Sequence, residues 1–294
     1  MGYGRHTIHR LLGVIVVAGV LAACTHMPRS DGNEGTVLRV KDGKLIGYGR
    51  LAEELKGIDL IFVGENHDNA AHHAAQLRII DELHWREVPL ALGLEMFPAR
   101  AQPELDAWLA GRLSDTIFKS LYWKTWHMPW ELYETIFLRA RVWKIPLVGI
   151  NVPRWVVQKV FRNGFTSLTP EERQELPSEV TCRIDPGYRE FIRRSFGTHA
   201  KNGGEFERFC EAMMLWTKGM AGNLANYLDS RPGRQVVVLT GASHALRMGI
   251  PEQITLESRY TIRIVLPELK GLTRETVTLN EADYLILDPT LVDR

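Results

Sequence analysis

Four short apolar runs constrain this chain more than any other feature: residues 60–63 (LIFV), 90–94 (LALGL), 147–150 (LVGI) and 236–239 (VVVL), each bounded by turn residues and separated by helical stretches. A strand that is apolar on both faces must be covered on both faces, which an antiparallel sandwich with one wet side does not require. The pattern predicts an α/β fold with a mostly parallel central sheet and helices on both faces. Upstream, residues 37–40 and 45–48 flank Lys41-Asp42-Gly43-Lys44, and the Asp-Gly pair predicts a hairpin. The later runs 261–266 and 284–287 are expected as edge strands.

Within 69–86, Leu77, Ile79, Ile80 and Leu83 recur at three-to-four spacing; within 205–228, Phe209, Met213, Trp216, Met220 and Leu224 do the same. Both patterns predict amphipathic helices. Met213, Met214 and Met220 read as core packing rather than as a cofactor box. The interval from 98 to about 228 holds more helix than simple crossovers need. A helical cover over the carboxyl ends of the strands is therefore expected, and with it a pocket. Such a sheet needs a large core, and 294 residues with 45% hydrophobic and 24% charged side chains supply one. Lys and Arg (36) balance Asp and Glu (35), leaving no basic field for nucleic acid.

Residues 1–23 read as an export signal. Arg5 and Arg10 precede an uncharged run from 11 to 23 that ends Leu21-Ala22-Ala23-Cys24. The run is 13 residues long, short of the roughly 20 that cross a bilayer as a helix. It resembles a bacterial lipoprotein signal, which makes Cys24 the lipidated first residue of the mature chain. Residues 24–36 are then a tether and 37–294 a single domain. Thr25 stands where an aspartate would resemble an inner-membrane retention signal, so the anchor is expected in the outer membrane, facing the periplasm. In that oxidising compartment Cys182 and Cys210 either pair or remain separate thiols.

Each apolar run leads into a polar residue: Val63 into Gly64-Glu65-Asn66-His67-Asp68, Leu94 into Glu95, Ile150 into Asn151, and Leu239 into Thr240-Gly241-Ala242-Ser243-His244. Ligands of open parallel sheets collect beyond the carboxyl ends of the strands, so these residues aim at one place. Gly64-x-x-His67 and Gly241-x-x-His244 repeat one pattern. Its glycine permits a sharp turn and close approach, and its imidazole can ligate a metal or move a proton. Glu65, His67, Glu95 and His244 are the candidate ligands of a divalent metal ion. In an enzyme they are also the candidate catalytic residues, with Glu65 or Glu95 as general base toward a metal-bound water. The alternative pairs both carboxylates with buried arginines and uses each histidine as a helix cap. His72, His73 and His84 read as surface or core residues, with His72 a secondary candidate.

The blocks LIFVGENHD (60–68), LGLEMF (92–97), PLVGINVPR (146–154), LWTKGMAGNLANYL (215–228) and LTGASH (239–244) resemble, in order and spacing, the ChaN family of haem-binding lipoproteins. That family is similar in its core to Tiki and TraB-like proteins and to erythromycin esterases. Thr217 departs from the pattern, standing where the family often places an aspartate. The resemblance implies a lipid-anchored envelope protein that binds haem for iron acquisition, as a homodimer with haem between subunits and a tyrosine oxygen on each iron. An outer-membrane haem receptor is its implied partner. The ligand must then be an exposed tyrosine among aromatics. Tyr122, Trp123, Trp126, His127, Trp130 and Tyr133 crowd residues 120–137 and supply flat apolar faces and axial donors. Tyr122 is the expected axial ligand and Tyr133 the next, with Lys124, Lys119 and Arg139 toward the propionates. The alternative is an aromatic helix face packed under the cover. Two functions follow: a haem-binding lipoprotein, or a metal-dependent hydrolase of unknown substrate.

Overall fold

The computed structural model describes residues 1–2, 36–174, 176, 180, 182, 186–196, 203–255 and 260–287. The chain divides into two units, Met1–Gly32 and Asn33–Arg294, and all the elements named here belong to the second. The export signal and Cys24 lie outside the described residues.

In chain order the strands are β1 (Val37–Arg39), β2 (Lys44–Ile46), β3 (Leu60–Glu65), β4 (Leu90–Pro98), β5 (Leu147–Asn151), β6 (Gln235–Gly241), β7 (Ile262–Pro267) and β8 (Tyr284–Ile286). They form one sheet in the order β2-β1-β8-β7-β3-β6-β4-β5. The four apolar runs, as β3, β6, β4 and β5, are adjacent and parallel. The hairpin of β1 and β2 forms around Gly43, whose φ of 69° lies in the left-handed region open to glycine. Two expectations are corrected. β7 and β8 are interior strands, and the edges are β2 and β5; β7 pairs with β3 and β8, and β8 with β7 and β1. Tyr48 opens a helix instead of ending the hairpin, because Tyr48, Leu51, Ala52 and Leu55 bury at helical spacing.

The helices are α1 (Tyr48–Leu55), α2 (Ala70–His84), α3 (Gln102–Leu109), α4 (Asp115–Thr125), α5 (Glu134–Val142), α6 (Arg154–Asn163), α7 (Pro186–Phe196), α8 (Gly203–Ser230), α9 (Ala242–Ala245) and α10 (Ile250–Thr255). Strand alternation sorts them into two layers. Ile61, Val63, Leu92, Leu94, Val237 and Leu239 pack against α1 to α5. Leu60, Phe62, Val236, Val238, Ile262 and Ile264 pack against α8 to α10. Met220 joins that second layer, so it is core. A third apolar cluster unites α6, α7 and the first half of α8, and includes Met213 and Met214. Cys182 and Cys210 pair there as a disulfide, which settles the two cysteine alternatives in favour of pairing.

Candidate functional site at the carboxyl ends of the strands

Alternation also decides where each carboxylate goes. Glu65 follows Ile61 and Val63 toward α2 and α5, whereas Glu95 follows Ala91 toward the α8 layer. The two acids therefore leave the sheet on opposite faces, each beside its own imidazole.

Glu65 is almost completely buried. Its Oε1 accepts from the Tyr133 hydroxyl at 2.8 Å and from His67 Nδ1 at 2.7 Å. His73 Nδ1 lies 2.7 Å from Oε2 as an ion pair and 3.1 Å from Gln76 Oε1. Gln76 is oriented by its own amide donating to the Val63 carbonyl. The other ring nitrogen of His73 faces the His67 carbonyl at 3.2 Å. With acceptors facing both nitrogens, the imidazolium is the favoured form of His73. Burial pushes its pKa down, but the hydrogen bond and charge of Glu65 prevail and raise it. Burial likewise pushes the Glu65 carboxyl up, yet the hydrogen bonds and charges of His67 and His73 hold it at about 2. His67 is also raised, against the pull of burial, by its bond to Glu65 and the charge of Glu95. Tyr133→Phe removes a buried donor to a carboxylate and is expected to cost about 1.5–3 kcal/mol in urea unfolding; no change would mean that Glu65 does not depend on that hydroxyl.

On the other face, Glu95 accepts from the Gly241 N–H at 2.7 Å and from the Thr240 hydroxyl. His244 Nε2 is 3.8 Å from Glu95 Oε1. Burial lowers the pKa of His244, and this outweighs the charge of Glu95, so the ring is neutral. Its Nδ1 lies 3.4 Å from the hydroxyl of buried Thr217, which donates to the Met213 carbonyl. A hydroxyl, unlike the aspartate expected there, gives no charge to hold His244 as a cation.

The two Gly-x-x-His copies interlock. A Cβ on Gly64 would sit 2.5 Å from Leu266 Cδ2 and 3.1 Å from both Ala242 Cα and Ala245 Cβ of α9, the helix that carries His244. A Cβ on Gly241 would sit 2.9 Å from His67 Cε1. Each glycine thus makes room for the other copy's histidine segment.

Glu65, His67, Glu95 and His244 do meet at one place, but their arrangement gives no support to a metal centre. Among the described residues no three His, Cys, Asp or Glu side chains could hold one ion. The carboxylates diverge, and Glu65 Oε1 and Glu95 Oε2 already have donors. The metal-dependent hydrolase, which requires that centre, draws no support from this arrangement. The arginine alternative is not met either, since histidines take the arginines' place. Of the other histidines, His72 accepts the Asn66 N–H in the turn before α2, and His84 stacks on Trp143. His73, set aside as surface or core, is the partner that was missed; Asn69 caps α2 and places residue 73 one turn in, under the end of β3.

Beyond the strand ends lies a cavity of about 270 Å³. His67 alone of the four candidates lines it, with Met96, Trp126, Met128 and Trp216 as apolar walls, and Lys124, Arg100, Arg154 and His127 as polar ones. Arg100 and Arg154 were missed by sequence reasoning. Each lies two to three residues past a strand's carboxyl end, so widening the strand-end rule finds both. The tyrosine expectation is corrected on its stated requirement of exposure: Tyr122 and Tyr133 are fully buried and neither lines the cavity. Tyr122 donates to the Met128 carbonyl at 2.8 Å, and burial raises the pKa of both phenols, which disfavours the phenolate that binds iron. Lys119 and Arg139 are occupied elsewhere, over Trp130 and with Asp81.

A model of the family described as haem-binding uptake, Tiki superfamily, ChaN matches residues 51–254. The chain belongs to the ChaN family. Its fold is similar to that in a structure of cofacial haem binding to ChaN of Campylobacter jejuni, with a TM-score of 0.69 and 19% identity over 86% of this chain and 96% of that one. The erythromycin esterase EreC matches at TM-score 0.49 and 12% identity, over 79% of this chain and 76% of that one. The type III effector HopBA1 matches at 0.47 and 10%, over 81% and 90%. No curated protein matches the sequence. The ChaN match spans β3 to α10, and so contains both interlocked Gly-x-x-His copies.

Proposed function

We propose that this protein is an envelope lipoprotein that binds haem for iron acquisition, with the porphyrin seated in the cavity beyond the strand ends. One observation carries the reading: aromatic and thioether walls share this cavity with three exposed cations, Arg100, Lys124 and Arg154. A porphyrin needs that combination, flat apolar contact for the ring and positive charge for two propionates. Family membership adds its weight. The imidazoles of His67 and His127 are the cavity's nitrogen donors, while a Tyr122 ligand requires the 126–130 segment to open first.

The cavity is near the lower end of the roughly 300–1,000 Å³ of ligand pockets, so it covers part of a porphyrin and leaves the rest to a second copy. Trp123 and Trp155, 42% and 45% exposed beside Lys124 and Arg154, supply apolar surface for that homodimer. Lipidation at Cys24, an outer-membrane position facing the periplasm and a haem-delivering receptor complete the reading. The lipobox supports the anchor, and the Cys182–Cys210 disulfide suits an oxidising compartment.

Haem titrated into the detergent-solubilised full chain is expected to give a saturable Soret band. The double variant Lys124→Ala, Arg154→Ala is expected to weaken binding by about tenfold or more, the loss of two charge-assisted contacts. Absence of saturation in the parent chain would overturn the proposal.

A further inference from the structure

A second, larger cleft lies along the sheet's free edge, between α3, the second half of α8 and β5, and shares no lining residue with the haem cavity. Its volume of about 830 Å³ lies within the range of small-molecule sites. The edge strand beneath it is already closed. The Gln102 amide donates to the Leu147 carbonyl at 2.8 Å and accepts the Gly149 N–H at 3.1 Å, as a neighbouring strand would, and the Asn223 amide donates to the Ile150 carbonyl at 2.8 Å. These bonds occupy backbone groups that an added peptide strand would need.

What the cleft offers is charge and polar side chains. Lys144, Arg231 and Arg234 line it, and among the described residues none of the three pairs with a carboxylate. Its acid, Asp106, is held by Gln102. The Tyr227 phenol and the Asn226 amide also line the cleft. Lys144 carries a second, independent sign. It adopts φ of 54° in the turn after α5, where glycine would relieve the backbone, and only Glu87 shares such a conformation among the described non-glycine residues. A lysine held at a costly backbone position in the lining of a cationic cleft points to use of its side chain.

We propose that this cleft binds a small polyhydroxylated anion, a sugar phosphate or sugar acid, with Lys144, Arg231 and Arg234 on the charged group and Asn226, Tyr227 and Asp106 on the hydroxyls. Three cations against one acid select an anion.

The test is calorimetric titration of the full chain in detergent with glucose 6-phosphate, glucuronate, glucose and inorganic phosphate. At least one anionic sugar is expected to bind with Kd below about 1 mM, and glucose about tenfold or more weakly. Which anion binds identifies phosphate or carboxylate as the group recognised. Lys144→Gly is the decisive variant, because it relieves the backbone while deleting a cation. Its thermal midpoint is expected at or above the parent's, its sugar affinity about tenfold lower, and its haem titration unchanged. Three results would each overturn the assignment: neither anionic sugar binds, Lys144→Gly binds as tightly as the parent, or inorganic phosphate binds as tightly as glucose 6-phosphate.

Discussion

Glu65→Gln is expected to destabilise the fold by about 3–5 kcal/mol near pH 6, the cost of stranding a buried charge. The charge is His73, whose two ring nitrogens face acceptors and whose ion-pair partner is Glu65. A carboxyl held at about 2 in place of 4.5 contributes about 3 kcal/mol by itself at neutral pH. The pH dependence separates this network from ordinary packing. Glu65 has a depressed pKa, so its contribution is complete above 4.5 and is lost as pH falls toward about 2. His67 and His73 have raised values, so theirs are complete below 6.5 and are lost as pH rises through the folded-state values. His244, depressed by burial, works the other way and costs stability below 6.5, but it does so in both proteins and cancels from their difference. The gap between parent and Glu65→Gln in urea unfolding is therefore expected to be widest between about pH 4.5 and 6.5 and to narrow on both sides. A gap independent of pH would show that Glu65 contributes only shape.

That network marks the boundary of what the residues reveal before the chain is folded. The four parallel strands were legible because an apolar run on both faces admits few arrangements. Their neighbours were not: whether residues 261–266 and 284–287 lie at an edge depends on pairing partners, although the near-continuous burial of β7 already argues against an edge. Glu65, His67, Glu95 and His244 were legible as strand-end residues, and they do gather. Their protonation and their partners depend on the phase of α2 and α5, which brings His73 and Tyr133 under β3, and no spacing within β3 encodes that. The aromatic stretch was legible as a density of rings and not as a direction. Phe97, Trp130 and Phe137 pack around Tyr122, while Lys124 and Trp126 turn to the cavity. The stretch thus divides between a packed face and a ligand surface, and only the packing chooses which side chain goes where.

Gly64→Val is expected to cost about 3 kcal/mol or more, at the upper end for overpacking a filled site. The reason is what surrounds the missing side chain. Leu266 Cδ2, 2.5 Å from the Cβ position, is the end of a flexible chain and can turn away. Ala242 Cα and Ala245 Cβ, each at 3.1 Å, belong to the short helix α9, whose position follows directly from β6. Valine adds two methyl groups to that contact, so relief requires α9 to move as a body and to take His244 away from Glu95 and Thr217. Two measurements check this together: the urea midpoint, and the His244 ring resonance by NMR, which is expected to lose its depressed titration as the ring gains water. A stable Gly64→Val protein with an unchanged His244 signal would show that α9 does not rest on Gly64, and the interlock of the two Gly-x-x-His copies would fall with it.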